Sequence, residues 1–392
     1  MRKRVLFITY WYPSKENPAV GIFVQEHAKA IVNAGNDVQV LHYDLKNGKV
    51  PLRWYIEKYI DENGIHVIRM KIFSLFWKAI YQLSPLFQYP LYKILRRKKF
   101  IDCSFNLIHS NVIFPAAFLG YKISKNNKIP HIITEHWSRL ESFLSKSIYK
   151  TYAHRIIDNS AFLLPVSSLI ADVLKKHTDH FDRILIVPNV VDDNVFYFQK
   201  KEPLPNDRIF FTVTAGWYKK KRFQKRPDLL FYALDEFCKS NRIEVTLNII
   251  GDGDLINDLR KQSEKLSFMT VFHGALTKKQ INEVLRETHF FLHASNFETF
   301  GIVVVEALKT GTPVIVSDLS TLRQFVNERN GLLVKNDKES WRLALQEAFD
   351  RKWDYKMIAE ESRSIFSLLE IGRQINQIYD QVIHNLDFNR AQ

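Results

Sequence analysis

Short apolar segments alternate along this chain with longer amphipathic segments, and this rhythm restricts the fold more than any other feature. The stretch 22–34 has helical spacing and stops at Gly35, a common helix terminator. Strands separated by helices predict a parallel sheet with helices on both faces. In the first half, apolar runs typical of strands cover 5–10, 38–42, 66–70, 107–109, 131–134 and 162–166.

The rhythm stops in a polar segment with two prolines, 199–208, and then starts again. A chain of 392 residues is too long for one ordinary core and suits two. We therefore predict an α/β protein with two doubly wound, Rossmann-like domains, over 1–203 and 204–370. The second rhythm consists of strands at 209–215, 244–250, 271–273, 289–293 and 313–317, with helices near 227–239, 254–265, 277–287 and 302–309.

Positive charge is concentrated in the first half. The net charge is +14, and residues 1–200 hold 28 Lys and Arg residues against 16 Asp and Glu residues. This asymmetry indicates an anionic partner, such as a membrane surface, a nucleic acid or a phosphorylated ligand. The sequence has no helix-turn-helix, zinc-finger or RNP pattern, so we expect no nucleic acid partner.

The sequence gives no sign of export. Its two cysteines, Cys103 and Cys238, lie far apart, which fits a reducing compartment. The apolar run after the basic N-terminus is only six residues long and has no small-residue cleavage site after it. No stretch of 18 uncharged apolar residues occurs. We expect a cytoplasmic protein without a membrane-spanning helix.

Residues 71–100 interrupt the alternation, because they are crowded with aromatics and end in the basic cluster Arg96–Lys99. One interpretation is two helices that pack into the core and end in solvated charges. The other is an interfacial segment, with Phe73, Phe76 and Trp77 at the level of lipid headgroups and the basic cluster attracting anionic lipid. The protein would then be peripheral at the inner face of the plasma membrane.

The segment 296–313, NFETFGIVVVEALKTGTP, is the densest group of chemically useful residues. Gly301 opens an apolar helix, Gly311 closes it, and Pro313 starts the next strand. This order predicts a strand–loop–helix–strand crossover. Ligands of open α/β sheets bind where strand ends meet helix starts, so the loop before the helix is a candidate site.

The residue types in this loop suit a ligand with both phosphate and hydroxyl groups. The amides of Phe300, Gly301 and Ile302 would face an anion. Glu298 in the loop and Glu306 in the helix are poor phosphate ligands but good acceptors for hydroxyls of a sugar or a ribose. We therefore predict that both carboxylates line one ligand.

The block ETFG-x4-E followed by GTPVI resembles the signature of glycosyltransferase family 4, the retaining enzymes of GT-B architecture. The resemblance implies two Rossmann-like domains that face a cleft, with the acceptor on the N-terminal side and the nucleotide-sugar on the C-terminal side. It also implies a final helix, 371–392, that packs back toward the N-terminal domain. Further similar segments are NPAVGIFVQEHAKAI, TEHWS, IVPNVVD, LNIIGDGD, FHGAL and NGLLV.

The resemblance implies three catalytic residues. Glu298, with the amides of Thr299–Ile302, would hold hydroxyls of the donor sugar. Lys225 would neutralise the diphosphate as the glycosidic bond breaks. His136 would contact the donor sugar near the reacting carbon.

It also implies substrate-binding residues around these three. Glu306 would hold the ribose hydroxyls, and the amide of Gly21 would approach the donor phosphate or the acceptor. The family usually has an arginine after the glycine that matches Gly216, but this chain has Trp217. The remaining implied contacts are Gly251, Gly274 and Leu276, with Arg222, or alternatively Lys221 or Lys219, in place of that arginine.

The expected function is transfer of a sugar from a UDP- or GDP-sugar to a lipid-linked or saccharide acceptor in cell-surface glycan biosynthesis. A nucleotide-sugar epimerase is an alternative, but it needs acid/base carboxylates that we cannot assign. A non-catalytic sugar-nucleotide-binding protein is disfavoured by the intact set of Glu298, Glu306 and Lys225. Because the sequence has no HExxH motif, no Cys/His cluster and no acidic DxD-type pair on a suitable loop, we expect no metal and no cofactor.

Overall fold

We describe the fold from a computed structural model. It describes residues 2–391 except 15, 19, 103, 203, 205 and 206, and it describes only the backbone of 221–223 and 385–391. Cys103 therefore lies outside the described residues, and Cys238 is a buried free thiol. The chain divides into two compact units, one of residues 1–190 and 368–392 and one of residues 191–367.

Within the described residues, the first unit contains a seven-stranded sheet with the order β3-β4-β2-β1-β5-β6-β7. Neighbouring strands are parallel except for β3, which pairs antiparallel with β4 at the edge. The elements are β1 (Arg4–Thr9), α1 (Ile22–Asn33), β2 (Asp37–Asn47), β3 (Arg53–Ile60), β4 (His66–Ser74), α2 (Trp77–Arg97), β5 (Leu107–Asn111), α3 (Phe118–Asn127), β6 (His131–Glu135), α4 (Leu140–Lys146), α5 (Lys150–Asp158), β7 (Phe162–Pro165) and α6 (Ser168–Lys175).

The described part of the second unit contains a six-stranded parallel sheet with the order β10-β9-β8-β11-β12-β13. The prediction of two parallel-sheet, Rossmann-like domains is therefore confirmed. The elements are β8 (Arg208–Thr214), α7 (Arg222–Lys225), α8 (Pro227–Asn241), β9 (Glu244–Ile250), α9 (Ile256–Ser263), β10 (Met269–Gly274), α10 (Lys278–Glu287), β11 (Phe290–His293), α11 (Ile302–Lys309), β12 (Val314–Ser317), β13 (Gly331–Val334), α12 (Lys338–Asp350) and α13 (Tyr355–Phe366).

The last helix, α14 (Leu368–Ala391), belongs to the first unit. Its residues Ile371, Ile375 and Tyr379 join β1 and α1 in one buried apolar cluster. Gly372 lies against the backbone of Ala30, where a Cβ would collide with the carbonyl oxygen. A glycine is therefore required for α14 to approach α1 this closely.

The segment 71–100 differs from the first sequence interpretation, which expected two helices. Residues 71–74 form the end of strand β4, and a single helix, α2, takes the place of the expected pair of helices. Pro85 and Pro90 lie inside this helix. A helix of 21 residues is about 30 Å long, so Phe76 and the cluster Arg96–Lys99 stand at opposite ends. Among the described residues, no helix combines the length and hydrophobicity that a membrane crossing requires.

Five histidines of the first unit are buried: His27, His42, His109, His131 and His136. Burial lowers the pKa of His27 and His42 to about 4 and that of His131 to about 3. Burial likewise lowers the pKa of His109 and His136 well below the ordinary value. The folded unit therefore holds these rings in the neutral form near pH 7.

These histidines predict acid lability. Their pKa is lower in the folded state than the unfolded value of about 6.5, so the unfolded chain binds more protons below pH 6.5. The contribution of these rings to the free energy of unfolding is therefore fully present above pH 6.5. It decreases as the pH is lowered, by up to about 1.4 kcal/mol per pH unit for each ring. Glu135 opposes this trend, because burial raises its pKa to about 7. Urea unfolding at pH 4.5, 5.5 and 6.5 measures the slope.

Two variants separate this cause from a general effect of acid. His131→Gln removes one buried ring, so the unfolding free energy should fall less steeply with pH. His180→Gln removes an exposed ring and should leave the slope unchanged. Equal slopes in the two variants would contradict the assignment.

Candidate active site

Three side chains from separate elements meet at the carboxyl edge of the second sheet. The carboxylate of Glu298 accepts hydrogen bonds from Nζ of Lys225 and, at 2.9 Å, from Nε2 of His293. Lys225 ends α7, His293 ends β11, and Glu298 lies in the loop before α11. The three side chains are only 2–16% exposed. They form a cluster that we call the Glu298 cluster.

The carboxylate of Glu298 is ionised in this cluster. Burial alone would raise its pKa, but the opposing interactions with His293 and Lys225 lower the pKa to about 2. A negative charge with two positively polarised partners is thus fixed beside the start of α11.

The backbone around the Glu298 cluster is tied together by further hydrogen bonds. The amide of Asn296 donates to the carbonyl of Gln224 at 2.8 Å, and Nε2 of Gln224 donates to the carbonyl of Phe297 at 3.2 Å. These bonds attach the end of α7 to the loop of Glu298. The side chain of Asn336 joins the same loop, because its Nδ2 donates to the carbonyl of Ser295 at 2.9 Å.

The helix α11 begins as the sequence predicted. Gly301 precedes it with φ +89°, and a Cβ there would collide with Leu322. Glycine therefore allows the tight entry into the helix. Phe300 is buried against Phe325, with ring centroids 5.6 Å apart, which fixes the turn. Helix geometry leaves the first amides of α11, beginning with that of Ile302, without acceptors inside the helix.

The other residues expected here take different positions along the same crossover. Thr299 is half-buried in the loop, and Glu306 is buried in the second turn of α11. The far end of α11 is anchored by Lys309, whose Nζ donates to the carbonyl of Val191 at 2.8 Å and pairs with Asp193. The helix that carries Glu306 is thus held at both ends.

The structure gives Trp217 a role different from that of the arginine it replaces. Its ring is 2% exposed, and its Nε1 donates to the carbonyl of Ile250 at 3.0 Å. A Cβ at Gly251 would collide with the carbonyl of Ala215, and one at Gly253 with that of Trp217. The glycines after β9 therefore let the chain wrap closely around the strand end that Trp217 follows.

The remaining expected contacts of the second unit lie nearby on the same sheet edge. Gly274 ends β10 and accepts a hydrogen bond from the amide of Gly251 at 2.8 Å, and Leu276 follows in the next loop. The side chains of Lys221 and Arg222 lie outside the described residues. Lys219 forms an ion pair with Asp258, in which Nζ and Oδ2 are 3.2 Å apart.

In the first unit, His136 lies at the carboxyl end of β6, close to the helix that Gly21 opens. The ring of His136 is buried, and its centroid lies 4.8 Å from that of Phe23 on α1. Its Nδ1 lies 3.1 Å from Oδ1 of Asn189. Gly21 has φ +75°, and a Cβ there would collide with the backbone of Trp11. The fold thus brings Gly21 and His136 to one region of this unit.

Two polar residues at strand ends were not predicted from the sequence. His293 ends β11 and completes the Glu298 cluster. Glu135 ends β6, where its carboxylate accepts hydrogen bonds from the amides of Ile113, His136 and Trp137 at 2.7–2.9 Å. A polar residue that closes an apolar strand, as in FFLH and HIITE, was the available signal. Among the described residues, no group of three or more His, Cys, Asp or Glu could hold a metal ion.

Two family profiles match consecutive parts of the chain. The family described as Glycosyltransferase Family 4 matches residues 20–195, and the family described as Glycosyl transferases group 1 matches residues 198–364. Together they span most of both units.

Individual proteins are similar to the chain over most of its length. It is 22% identical to the putative teichuronic acid biosynthesis glycosyltransferase TuaC of Bacillus subtilis, over 96% of this chain and 97% of that protein. It is 25% identical to the UDP-Gal:alpha-D-GlcNAc-diphosphoundecaprenol alpha-1,3-galactosyltransferase of Escherichia coli, over 75% of this chain and 78% of that one. The structure of sucrose-phosphate synthase from Thermosynechococcus elongatus matches with a TM-score of 0.70 at 17% identity, covering 98% of this chain and 100% of that chain.

The Glu298 cluster predicts a strong energetic coupling between Lys225 and Glu298. Lys225→Met leaves a buried carboxylate with one partner fewer, so the free energy of unfolding should fall by about 1–3 kcal/mol. Glu298→Gln leaves an unneutralised ammonium group and should also destabilise. The double variant removes both charges, so it should lose less than the sum of the single losses. Urea unfolding of the four proteins measures the coupling, and additive losses would contradict it.

Proposed function

Since this chain is a glycosyltransferase of the GT-B fold, with a family 4 domain followed by a group 1 domain, we propose that it transfers a sugar from a UDP-sugar to a lipid-linked acceptor, with retention at the reacting carbon. Retention rests on the resemblance to the family. The observation that carries the proposal is the Glu298 cluster beside the start of α11.

The cluster and the helix start have complementary charges for a nucleotide-sugar. Lys225 and the first amides of α11 offer positive charge, which suits the diphosphate. As the bond between the sugar and the diphosphate breaks, negative charge grows on the leaving oxygen, and these fixed groups stabilise it. The incoming diphosphate would take over Lys225, which otherwise neutralises Glu298.

The two carboxylates suit the hydroxyl groups of the same ligand. Glu298 stays ionised and is oriented by His293, so its oxygens can accept hydrogen bonds from hydroxyls of the donor sugar. Glu306 would accept from the ribose hydroxyls. His136 is neutral near pH 7, so it can donate or accept a hydrogen bond at the sugar without adding a charge.

The similar proteins support a particular class of donor and acceptor. The name of the Escherichia coli relative specifies UDP-galactose as donor and a diphosphoundecaprenol-linked sugar as acceptor. The name of the Bacillus subtilis relative specifies teichuronic acid biosynthesis. The excess of positive charge in the first half of the chain suits a diphosphate-linked acceptor at a membrane.

A transfer assay tests the proposal. The protein is incubated with UDP- or GDP-sugars and polyprenyl-diphosphate-linked sugars, and mass spectrometry follows the products. We expect the acceptor to gain one sugar from a UDP-sugar, with the anomeric configuration of the donor preserved in the NMR spectrum. An inverted linkage would refute retention. An isomerised donor, or no product with any pair, would refute the transferase proposal.

A substitution in α11 tests the nucleotide side. Glu306→Ala should weaken binding of the free nucleoside diphosphate by about 1–3 kcal/mol, because a hydrogen bond to a charged group is lost. Glu283→Ala on α10 removes an exposed carboxylate of the same type and should leave the affinity unchanged. Calorimetry that gives equal affinities for wild type and Glu306→Ala would contradict the ribose contact.

A chelation experiment tests how the diphosphate is neutralised. If Lys225 and the amides of α11 supply the positive charge, the rate of transfer should be unchanged in excess EDTA. The control is the dialysed enzyme with Mg²⁺ or Mn²⁺ added back. An enzyme that is inactive until the metal returns would show that the protein groups are insufficient.

A further inference from the structure

The outward face of α2 carries a continuous apolar stripe. The residues that pack α2 into the first unit include Ser84, Gln88, Tyr92 and Leu95. With 3.6 residues per turn, the stripe lies on the side of the helix opposite these buried residues. Its members are exposed and follow a spacing of three or four residues: Phe76, Ala79, Leu83, Leu86, Pro90 and Ile94.

Such a stripe is unusual for a surface that faces only water. Single exposed apolar residues are common in folded proteins, whereas contiguous exposed patches mark surfaces of interaction. Phe76 and Leu86 are 60% and 63% exposed, and Leu83 is 47% exposed. The exposed face of α2 thus has the pattern expected of a helix that is buried on both sides.

The charges beside the stripe indicate what covers it. From Trp77 to Phe100 the chain has six Lys and Arg residues and no Asp or Glu. Lys78, Lys93 and Arg97 are exposed along the length of α2. An apolar stripe flanked by cations is complementary to an anionic lipid bilayer, whose headgroups attract the charges while its acyl boundary accepts the apolar side chains.

The surface continues beyond the start of α2. The amide of Leu75 donates to the carbonyl of Val50 at 2.8 Å, which brings the segment before β3 next to the start of the helix. Leu75 and Leu52 there are 58% and 57% exposed, and Trp54 at the start of β3 is 44% exposed. Tryptophan is enriched at the interface between water and lipid, so its position at this end suits the same partner.

We propose that α2 lies flat on an anionic membrane surface, with its stripe at the boundary between headgroups and acyl chains. The inference rests on the proposed function in one respect, since a lipid-linked acceptor brings the enzyme to a bilayer. It replaces the sequence interpretation, in which Phe73, Phe76, Trp77 and the cluster Arg96–Lys99 formed one docking patch. The docking face is instead the length of the helix.

Vesicle flotation with the full chain tests the surface. The probe is a vesicle of phosphatidylcholine with about a third phosphatidylglycerol, an anionic lipid. The triple variant Leu83→Ser, Leu86→Ser, Ile94→Ser should lower the partition coefficient about tenfold or more, because three apolar side chains no longer enter the bilayer. The matched control, Met269→Ser, Leu333→Ser, Leu343→Ser, changes exposed apolar residues of the second unit and should bind as wild type.

A charge variant tests the second part of the surface. Lys78→Gln, Lys93→Gln, Arg97→Gln should weaken binding to anionic vesicles and reduce its salt dependence, because surface attraction is screened within about 8 Å at physiological ionic strength. Wild type should bind pure phosphatidylcholine vesicles more weakly than anionic ones. Equal binding of stripe variant and control, or no binding of wild type at low salt, would overturn the proposal.

Two further measurements separate this inference from its alternatives. If wild type ignores vesicles but forms a dimer that the stripe variant abolishes, the stripe is a protein interface and the membrane proposal is wrong. Nucleotide binding and transfer to a water-soluble acceptor are measured without vesicles. If wild type neither binds nucleotide nor transfers a sugar, the proposed function alone is refuted. If wild type transfers a sugar normally but does not bind vesicles, the membrane surface alone is refuted.

Discussion

Parallel pairing places the carboxyl ends of neighbouring strands along one edge of a sheet, and every candidate group depends on this constraint. In the second unit it aligns the ends of β8, β9, β11 and β12, so residues far apart in sequence meet there. Lys225 and Glu298 are 73 residues apart and share a hydrogen bond. In the first unit, the same constraint brings the ends of β5 and β6 together around His136.

Two groups of buried polar residues are stabilised in opposite ways. The second unit keeps Glu298 ionised by supplying Lys225 and His293 as partners. The first unit keeps its histidines neutral by burying them, as for His109, whose two nitrogens face Tyr379 at 2.6 Å and Thr134 at 2.7 Å. The Glu298 cluster is therefore suited to a charged ligand, whereas the buried rings of the first unit add no charge to their surroundings.

Sequence periodicity predicted most of the fold because buried parallel strands are continuous apolar runs. The strand β3 was not predicted, since it lies at an edge of the sheet and mixes charged residues with aromatic ones instead of forming a continuous apolar run. The segment of α2 was not predicted as a single helix, because prolines such as Pro85 and Pro90 normally mark helix ends. The bounds of α11 followed from Gly301 and local chemistry alone.

The candidate site was harder to predict where partners are distant in sequence. Glu135 and His293 gain their roles from groups on other elements, which no local pattern encodes. Trp217 was identified as a departure from the family, but its burial and its hydrogen bond to the carbonyl of Ile250 follow only from the sheet. The positions of Thr299, Phe300 and Ile302 relative to the helix start were local and could be predicted.

The return of α14 to the first unit has a consequence for folding while the polypeptide is being synthesised. The apolar face of β1 and α1 is completed by Ile371, Ile375 and Tyr379, which are made last. All of residues 191–367 must leave the ribosome before this face is covered. At about 5–20 residues per second, the wait is roughly 10–35 s. During that time the nascent chain presents an uncovered apolar face, so the second unit can fold before the first is complete.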